Sequence, residues 1–292
     1  MDRSGRVSGG YPAWRGGSAS GWTSLYRGVT RTWDEASSGG GTNIHRLVLW
    51  NIDLTLLDVA KVAREAYAEA FRKVTGRPLV QLPQMAGRTE PEVFFDALAL
   101  NGVSLRDAGA AESERLLAPF GAELATSLAA RRDLLAAQGQ LLPGAAESLA
   151  AVAGQAGVTA SVLTGSSRPN ATLKLRAFGL DRYVDLTVGG FAGSDPYPKG
   201  ALLCVARQRA EEKYGVRFAE AATVYIADSP RDVEAARIGG ARSVAVASGR
   251  ASTAELRDVG ADAVLPDLTD PATLIALITG GPSMIVGQNW RY

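Results

Sequence analysis

The stretch Arg46-Leu47-Val48-Leu49-Trp50-Asn51-Ile52-Asp53-Leu54-Thr55 decides how this chain is read. A short apolar run of strand length stops abruptly in a cluster that sets an amide, a carboxylate and a hydroxyl within five residues. Comparable runs recur at Ala160 to Leu163, Tyr183 to Val188, Thr223 to Ala227, Ser243 to Ala247 and Ala263 to Leu265. Most are separated by segments of helical period, such as Ala201 to Tyr214 and Asp232 to Ile238. Strands that alternate with helices predict an α/β fold with a mostly parallel sheet covered on both faces. Functional groups of such sheets collect at the carboxyl ends of the strands, so the polar residues after each run are the ones to inspect.

Between the first and second runs the period is helical throughout. Helices are expected over Val59 to Val74, Glu90 to Leu100, Leu105 to Pro119 in one or two pieces, and Ala122 to Gln138. Leu142-Pro143-Gly144 then marks the return to the core, with a helix from Ala145 to Ala153. Residues 59–141 therefore read as a separate helical lid, and 44–58 with 142–280 as the α/β core. Residues 1–43 are rich in Gly and Ser and show no amphipathic period. They are expected to be a disordered tail, or the product of a start codon set too far upstream; a partner-binding arm carrying Trp14, Trp22 and Trp33 is the other reading. The tail lacks the apolar core of a secretory signal.

Composition narrows the chemistry. The 292 residues are 46% hydrophobic, and 31 Lys+Arg against 30 Asp+Glu leave a net charge of +1, which gives no general field for nucleic acid or an anionic membrane. No uninterrupted apolar stretch is long enough for a spanning helix, and a cytoplasmic location is expected. One cysteine, Cys204, and one histidine, His45, exclude an internal disulfide, a Cys-rich zinc site and a His-cluster metal centre.

The strand ends supply what remains. The first gives Asn51, Asp53 and Thr55; the second gives Thr164, Gly165 and Ser166, opening a helix near Asn170; later come Asp195, Lys199, Asp228 and Asp232. Carboxylates of this kind suit Mg²⁺, which takes a couple of them along with phosphate oxygens and water. Hydroxyls, main-chain N–H groups and a lysine suit the phosphate itself.

In this arrangement the chain resembles the haloacid dehalogenase-like hydrolases. Residues 49–58 are similar to their first motif, Asp-x-Asp-x-Thr; Val162-Leu163-Thr164-Gly165-Ser166 to the second; and Ala227-Asp228-Ser229-Pro230-Arg231-Asp232 to the fourth. Met85-Ala86-Gly87-Arg88-Thr89 before an acidic helix is similar to the cap segment of the phosphoglycolate phosphatase-like branch. The resemblance implies a Rossmann-like core with a helical cap inserted after the first strand, and Mg²⁺-dependent hydrolysis of a small phosphate monoester. It implies a nucleophile at position 51, Asp53 as general acid and base, and Thr164, Gly165 and Ser166 on the phosphoryl oxygens. Arg88 is implied as a substrate contact from the cap. Mg²⁺ would be held by Asp228 and the main-chain carbonyl of Asp53, with Asp232 supporting that shell. The partner expected is a small phosphorylated metabolite, with oligomeric state left open.

The sequence departs from the family pattern twice. Asn51 stands where the nucleophilic Asp belongs, and a carboxamide is neutral and poorly nucleophilic, with a turnover loss on the order of 10⁶ by analogy with nucleophile deletion elsewhere. The site would then hold a phosphate ester better than it cleaves one. The alternative to a phosphatase is accordingly an inactive relative that binds a phosphorylated ligand or a protein partner. A true 2-haloacid dehalogenase is disfavoured by the presence of Asp53 and Asp228. Second, Asp195-Pro196-Tyr197-Pro198-Lys199 exchanges the acidic and basic ends of the usual third motif, and Lys199-Gly200 fits the version with the lysine directly before the helix. Each residue also has a plainer use: Asp53 in a turn, Thr164 and Ser166 as helix caps, Asp232 as a cap of its helix, and Thr89 as an N-cap paired with Glu92.

Overall fold

The computed structural model describes residues 45–103, 105–193 and 198–280, without the side chains of 105–114. The expected tail over 1–43 and Asp195 lie outside these residues. In chain order the elements begin with β1 (Arg46–Trp50), β2 (Leu57–Asp58) and four helices, α1 (Ala60–Thr75), α2 (Glu90–Leu100), α3 (Leu105–Ala129) and α4 (Arg132–Gln138). There follow β3 (Gln140–Leu141), α5 (Ala145–Ala153), β4 (Val158–Ser167), α6 (Arg168–Ala177) and β5 (Gly190–Ala192). The remainder is α7 (Lys199–Tyr214), β6 (Thr223–Ala227), α8 (Pro230–Gly239), β7 (Arg242–Val246), α9 (Thr253–Asp258), β8 (Ala263–Leu265) and α10 (Pro271–Thr279).

Six strands form one sheet in the order β5-β4-β1-β6-β7-β8, every pairing parallel. β1 is central, flanked by β4 and β6, and its alternation supplies both layers. Val48 and Trp50 join one core with α1, α5 and α6, whereas Leu47 and Leu49 join the other with Leu202, Leu203 and Ala206 of α7. Because the chain leaves β1 toward β4 and β5 and later returns to β6 on its other side, strand order reverses beside β1. That reversal opens a crevice at the carboxyl ends of β1, β4 and β6.

Three expectations are corrected. Tyr183 to Val188 is not a strand: Asp181–Tyr183 is a 3₁₀ turn, and the edge strand is the short Gly190–Ala192. Pro119 does not divide its helix, for α3 runs unbroken through it and stops only before Arg132. The helical insertion is not free of strands either, since β2 and β3 pair antiparallel and tie its two ends together. Nor is its interior separate. Val62, Tyr67, Phe71, Phe94, Phe120 and Leu128 belong to the same apolar cluster as Val48 and Trp50.

Candidate active site

Past β1 the backbone of Asn51 still donates to Ile226 O at 2.8 Å, so the first site residue is held in register with the sheet. The turn that follows closes on Ile52 O, which accepts from Leu56 N at 2.9 Å, and Leu54 takes a left-handed φ of 61°. A branched residue in that region is strained by roughly 1–2 kcal/mol, and such strain persists where the surroundings fix the turn. Here Ser248 Oγ donates to Leu54 O at 2.7 Å.

The Asn51 side chain is buried and fully committed. Its Nδ2 donates to the Asp53 carbonyl at 2.9 Å, Thr55 Oγ1 at 3.1 Å and Asp228 Oδ1 at 2.9 Å, while its Oδ1 accepts from Lys199 Nζ at 3.0 Å. Exchanging amide nitrogen and oxygen would set NH₂ against an ammonium and C=O against three oxygens, so the partners fix the orientation. Thr55 Oγ1 donates onward to Asp228 Oδ1 at 2.8 Å. Burial, followed by the charge of Asp232, pushes the Asp228 carboxyl up to about 6, against the pull of Thr55, Lys199 and Asn51. Gly249 leaves the room Asp228 needs, as a Cβ there would lie 2.1 Å from Asp228 Oδ2.

Lys199 begins α7 and points inward, with Nζ 2.6 Å from Asp232 Oδ1. Asp232 also accepts from Tyr225 Oη at 2.8 Å and Ser229 Oγ at 2.6 Å. The structure thus joins Asp232 to the lysine as its buried counter-ion, and its charge acts on Asp228 from there. Nor does Asp232 cap α8: Ser229 is the N-cap, accepting from Asp232 N.

At the end of β4 the pairing register with β5 shifts between Thr164 and Ser167, an irregularity of the bulge kind. Thr164 and Ser166 are buried there. Ser166 N donates to Thr164 Oγ1 at 3.1 Å, so one of the two main-chain amides expected to face phosphate is already bonded within the loop. Gly165 is required by close approach, since a Cβ on it would fall 1.8 Å from Arg88 O. Arg88 lines the cavity as well, and its guanidinium pairs with Asp96 at 2.6 Å and donates to the carbonyls of Glu92 at 2.9 Å and Gln84 at 3.3 Å. Thr89 and Glu92 form the capping box that the sequence suggested.

Lys174, Thr55 and Glu90 complete the site, and sequence reasoning gave none of them this weight. Lys174 Nζ reaches both oxygens of Asp53, at 2.9 and 2.7 Å, and Ser166 Oγ at 3.0 Å. Glu90 accepts from Ser167 N at 3.1 Å and Asn170 Nδ2 at 3.0 Å, and burial raises its carboxyl above the usual range. The signal for Lys174 was its position one turn after Asn170, on the face of α6 that meets the crevice.

Asn51, Asp53, Thr164, Lys174, Lys199 and Asp228 share the floor of one cavity of about 810 Å³, and helices of the insertion supply much of its wall. Among the described residues, no group of three or more His, Cys, Asp or Glu is placed to hold a metal ion. No helix among them is long and apolar enough to cross a membrane.

Comparison with known proteins agrees with this fold. The sequence model of the family described as haloacid dehalogenase-like hydrolase matches residues 48–237. A phosphoglycolate phosphatase of Xanthomonas campestris pv. campestris is 30% identical over 200 residues, covering 68% of this chain and 82% of that relative. A hydrolase from Pseudomonas syringae shares the fold at a TM-score of 0.56 and 22% identity, over 80% of this chain and 99% of its own. A predicted phosphoglycolate phosphatase from Haemophilus somnus does so at 0.52 and 19%, over 81% of this chain and 100% of its own. The chain belongs to the haloacid dehalogenase-like hydrolase family.

Proposed function

We propose that this member of the haloacid dehalogenase-like hydrolases is a phosphatase-type protein that binds a phosphate monoester at the β1, β4 and β6 strand ends, with turnover blocked at position 51. The observation that carries the reading is the Asn51 amide, held between Lys199 on one side and Asp228 with the Asp53 carbonyl on the other. A phosphate placed above it meets Thr164 Oγ1, the Gly165 amide and the Lys199 ammonium, a set of donors suited to phosphoryl oxygens. The named relative supports a small ester of the phosphoglycolate kind as substrate class. In this reading residues 59–141 act as the cap that encloses it.

Mg²⁺ fits the oxygens but not the amide. The Asp53 carbonyl and Asp228 Oδ1 are hard donors of the type it takes. Asn51, however, presents its NH₂ to both of them, and turning its oxygen toward a cation would set that NH₂ against Lys199. An aspartate can do both at once, giving one oxygen to the lysine and the other to a metal. Asn51 also lacks the negative charge that makes a carboxylate a nucleophile. The residues as they stand therefore orient and neutralise an ester without attacking it.

The test is phosphate release from a panel of small phosphate esters, with and without Mg²⁺, for the chain and for Asn51→Asp. Turnover is expected only from the variant and only with Mg²⁺. Equal turnover by the unaltered chain would overturn the block. A variant that neither turns over nor binds inorganic phosphate would overturn the phosphate site.

A further inference from the structure

We propose that the two core loops leaving β6 and β7 form a second anion subsite on the cavity, with Arg231 and Arg250 as its donors, and that the ester bound there carries a second phosphate on its body. The proposal deepens the reading above, on which it rests, since the first phosphate is the one held on the floor.

The cations lining the cavity fall into two groups. Lys174 is matched by Asp53 at 2.7 Å, Lys199 by Asp232 at 2.6 Å and Arg88 by Asp96 at 2.6 Å. Arg231 and Arg250 line the same cavity and are exposed, yet among the described residues neither has a carboxylate within 4 Å or a hydrogen-bond partner. Arg64 of α1 is in the same state and adds to the positive field from the insertion side. Carboxylates on the lining do not offset them by contact. Glu255 accepts from Ser252 N and Ser252 Oγ, both at 2.8 Å, and Asp58 accepts from Ala60 N at 2.8 Å.

The sheet brings the two core arginines together. β6 and β7 are neighbours, with Ala227 opposite Ala245, and both arginines lie in the loops that leave these paired strand ends. Both segments pack on Asp228. Arg231 stands in the first turn of α8, just after it, and a Cβ on Gly249, the residue before Arg250, would lie 2.1 Å from Asp228 Oδ2. Gly87 packs so closely that its own Cβ would fall 2.5 Å from Arg231 Cβ, which holds the stem of that side chain while the residue stays exposed.

Position and charge select the ligand group. A cation in the first turn of α8 opposes the helix dipole, whereas an anion there is favoured by the dipole and by the guanidinium together. Two guanidinium forks match the charge and the oxygens of a phosphate dianion, and a carboxylate would satisfy only one of them. A cavity of about 810 Å³ falls in the range that encloses drug-sized ligands, roughly 300–1,000 Å³, and leaves room for a body between two phosphates.

The experiment is calorimetric titration of the full chain, at low salt, with three sets of probes. These are inorganic phosphate, the mono- and bisphosphates of propane-1,3-diol, butane-1,4-diol and hexane-1,6-diol, and the matching phosphorylated carboxylic acids. One bisphosphate should bind about 10-fold more tightly than its monophosphate, with the gap narrowing as salt is added. Arg231→Gln and Arg250→Gln should each cost that bisphosphate about 3-fold, and the double variant should close the gap while inorganic phosphate binds as before. Both positions are exposed, so the variants should melt with the parent. Arg237→Gln removes an exposed charge of the same sign from α8, at a residue paired with Glu234 and off the cavity lining, and should leave the gap intact. Bisphosphates no tighter than monophosphates, or a gap that Arg237→Gln closes equally well, would overturn the subsite and leave the floor standing. Phosphorylated acids that bind as tightly as the bisphosphates would overturn the second phosphate as its occupant. Absence of binding by inorganic phosphate and every ester would overturn the floor, and the subsite with it.

Discussion

Asn51 Nδ2 donates to Asp228 Oδ1 at 2.9 Å, so two residues 177 positions apart meet as amide and carboxylate at the centre of the crevice. The bond makes the floor self-sufficient. The Asp53 carbonyl and Asp228 Oδ1 each already have an N–H donor from Asn51, with Thr55 supplying a second donor on Asp228 Oδ1.

Asn51→Asp should therefore convert a metal-indifferent protein into a metal-dependent one, independently of any hydrolysis. Without metal the variant faces Asp228 with a second buried carboxylate, at a cost of about 3 kcal/mol. Saturating Mg²⁺ should recover it by mass action, by about 2.7 kcal/mol at a hundredfold excess over Kd. Melting curves with and without Mg²⁺ check this: the parent curve should stay where it is, and the variant curve should move upward. A parent that shifts as far as the variant would mean that the amide does admit the ion.

Lys199 and Asp232 form an ion pair at 2.6 Å with side chains 4% and 1% exposed. Removing one partner strands a buried charge, so Lys199→Met should lose roughly 3–5 kcal/mol in urea unfolding. Asp232→Asn in the same chain should return part of that loss, because the stranded carboxylate is gone. A double variant whose loss equals the sum of the single ones would show that the pair is not coupled.

Much of this arrangement was legible in the sequence, and the missing parts have physical causes. Short apolar runs ending in polar clusters gave the central strands, because β1, β4 and β6 are buried on both faces and cannot alternate. The run Tyr183 to Val188 had the same composition, yet its register belongs to a loop, and the edge strand lies just beyond it at Gly190–Ala192. Composition cannot separate a buried loop from a short edge strand. Asn51, Asp53, Thr164, Lys199 and Asp228 converge because each ends or follows a strand, or opens a helix, at one end of the sheet. Lys174 escaped notice because it lies inside a helix, where its contact with Asp53 depends on how α6 is rotated. Arg88 reaches the cavity as its motif position suggests, but its ion pair with Asp96 on the helix that follows depends on a side-chain path that spacing does not specify.

Glu90 gives the site a pH signature. Burial raises its carboxyl from 4.5, with Lys174, Asn170 and Ser167 opposing. As pH rises the unfolded chain releases this proton first, so the folded state holds more protons in the interval and stability falls with pH there. Its contribution is complete below the unfolded value and is lost as pH climbs through the folded one. Glu90→Gln carries no such proton, and its stability relative to the parent should therefore increase from pH 4 to pH 8. Urea melts at the two pH values check the sign; a relative decrease would show that Lys174 and the hydrogen bonds outweigh burial.

At Gly165 the insertion and the strand end approach closely, and the position tests whether they form one site. Its substitution by Ala would drive a methyl to 1.8 Å from Arg88 O and 3.0 Å from Thr89 Cα, both main-chain atoms at the start of α2. Neither can rotate aside as a side chain would, so the Thr164–Ser166 loop or the capping box must move. Overpacking of this kind costs about 3 kcal/mol. Gly154→Ala is the matched control, for its added methyl meets nothing nearer than 3.5 Å, and stability should change by less than about 1 kcal/mol. The decisive reading is phosphate binding by each variant. Loss in Gly165→Ala with retention in Gly154→Ala would follow from displacement of Thr164 and the Gly165 amide. Full retention in both would mean that the phosphate oxygens are held elsewhere on the floor, by Lys199 and Lys174 alone.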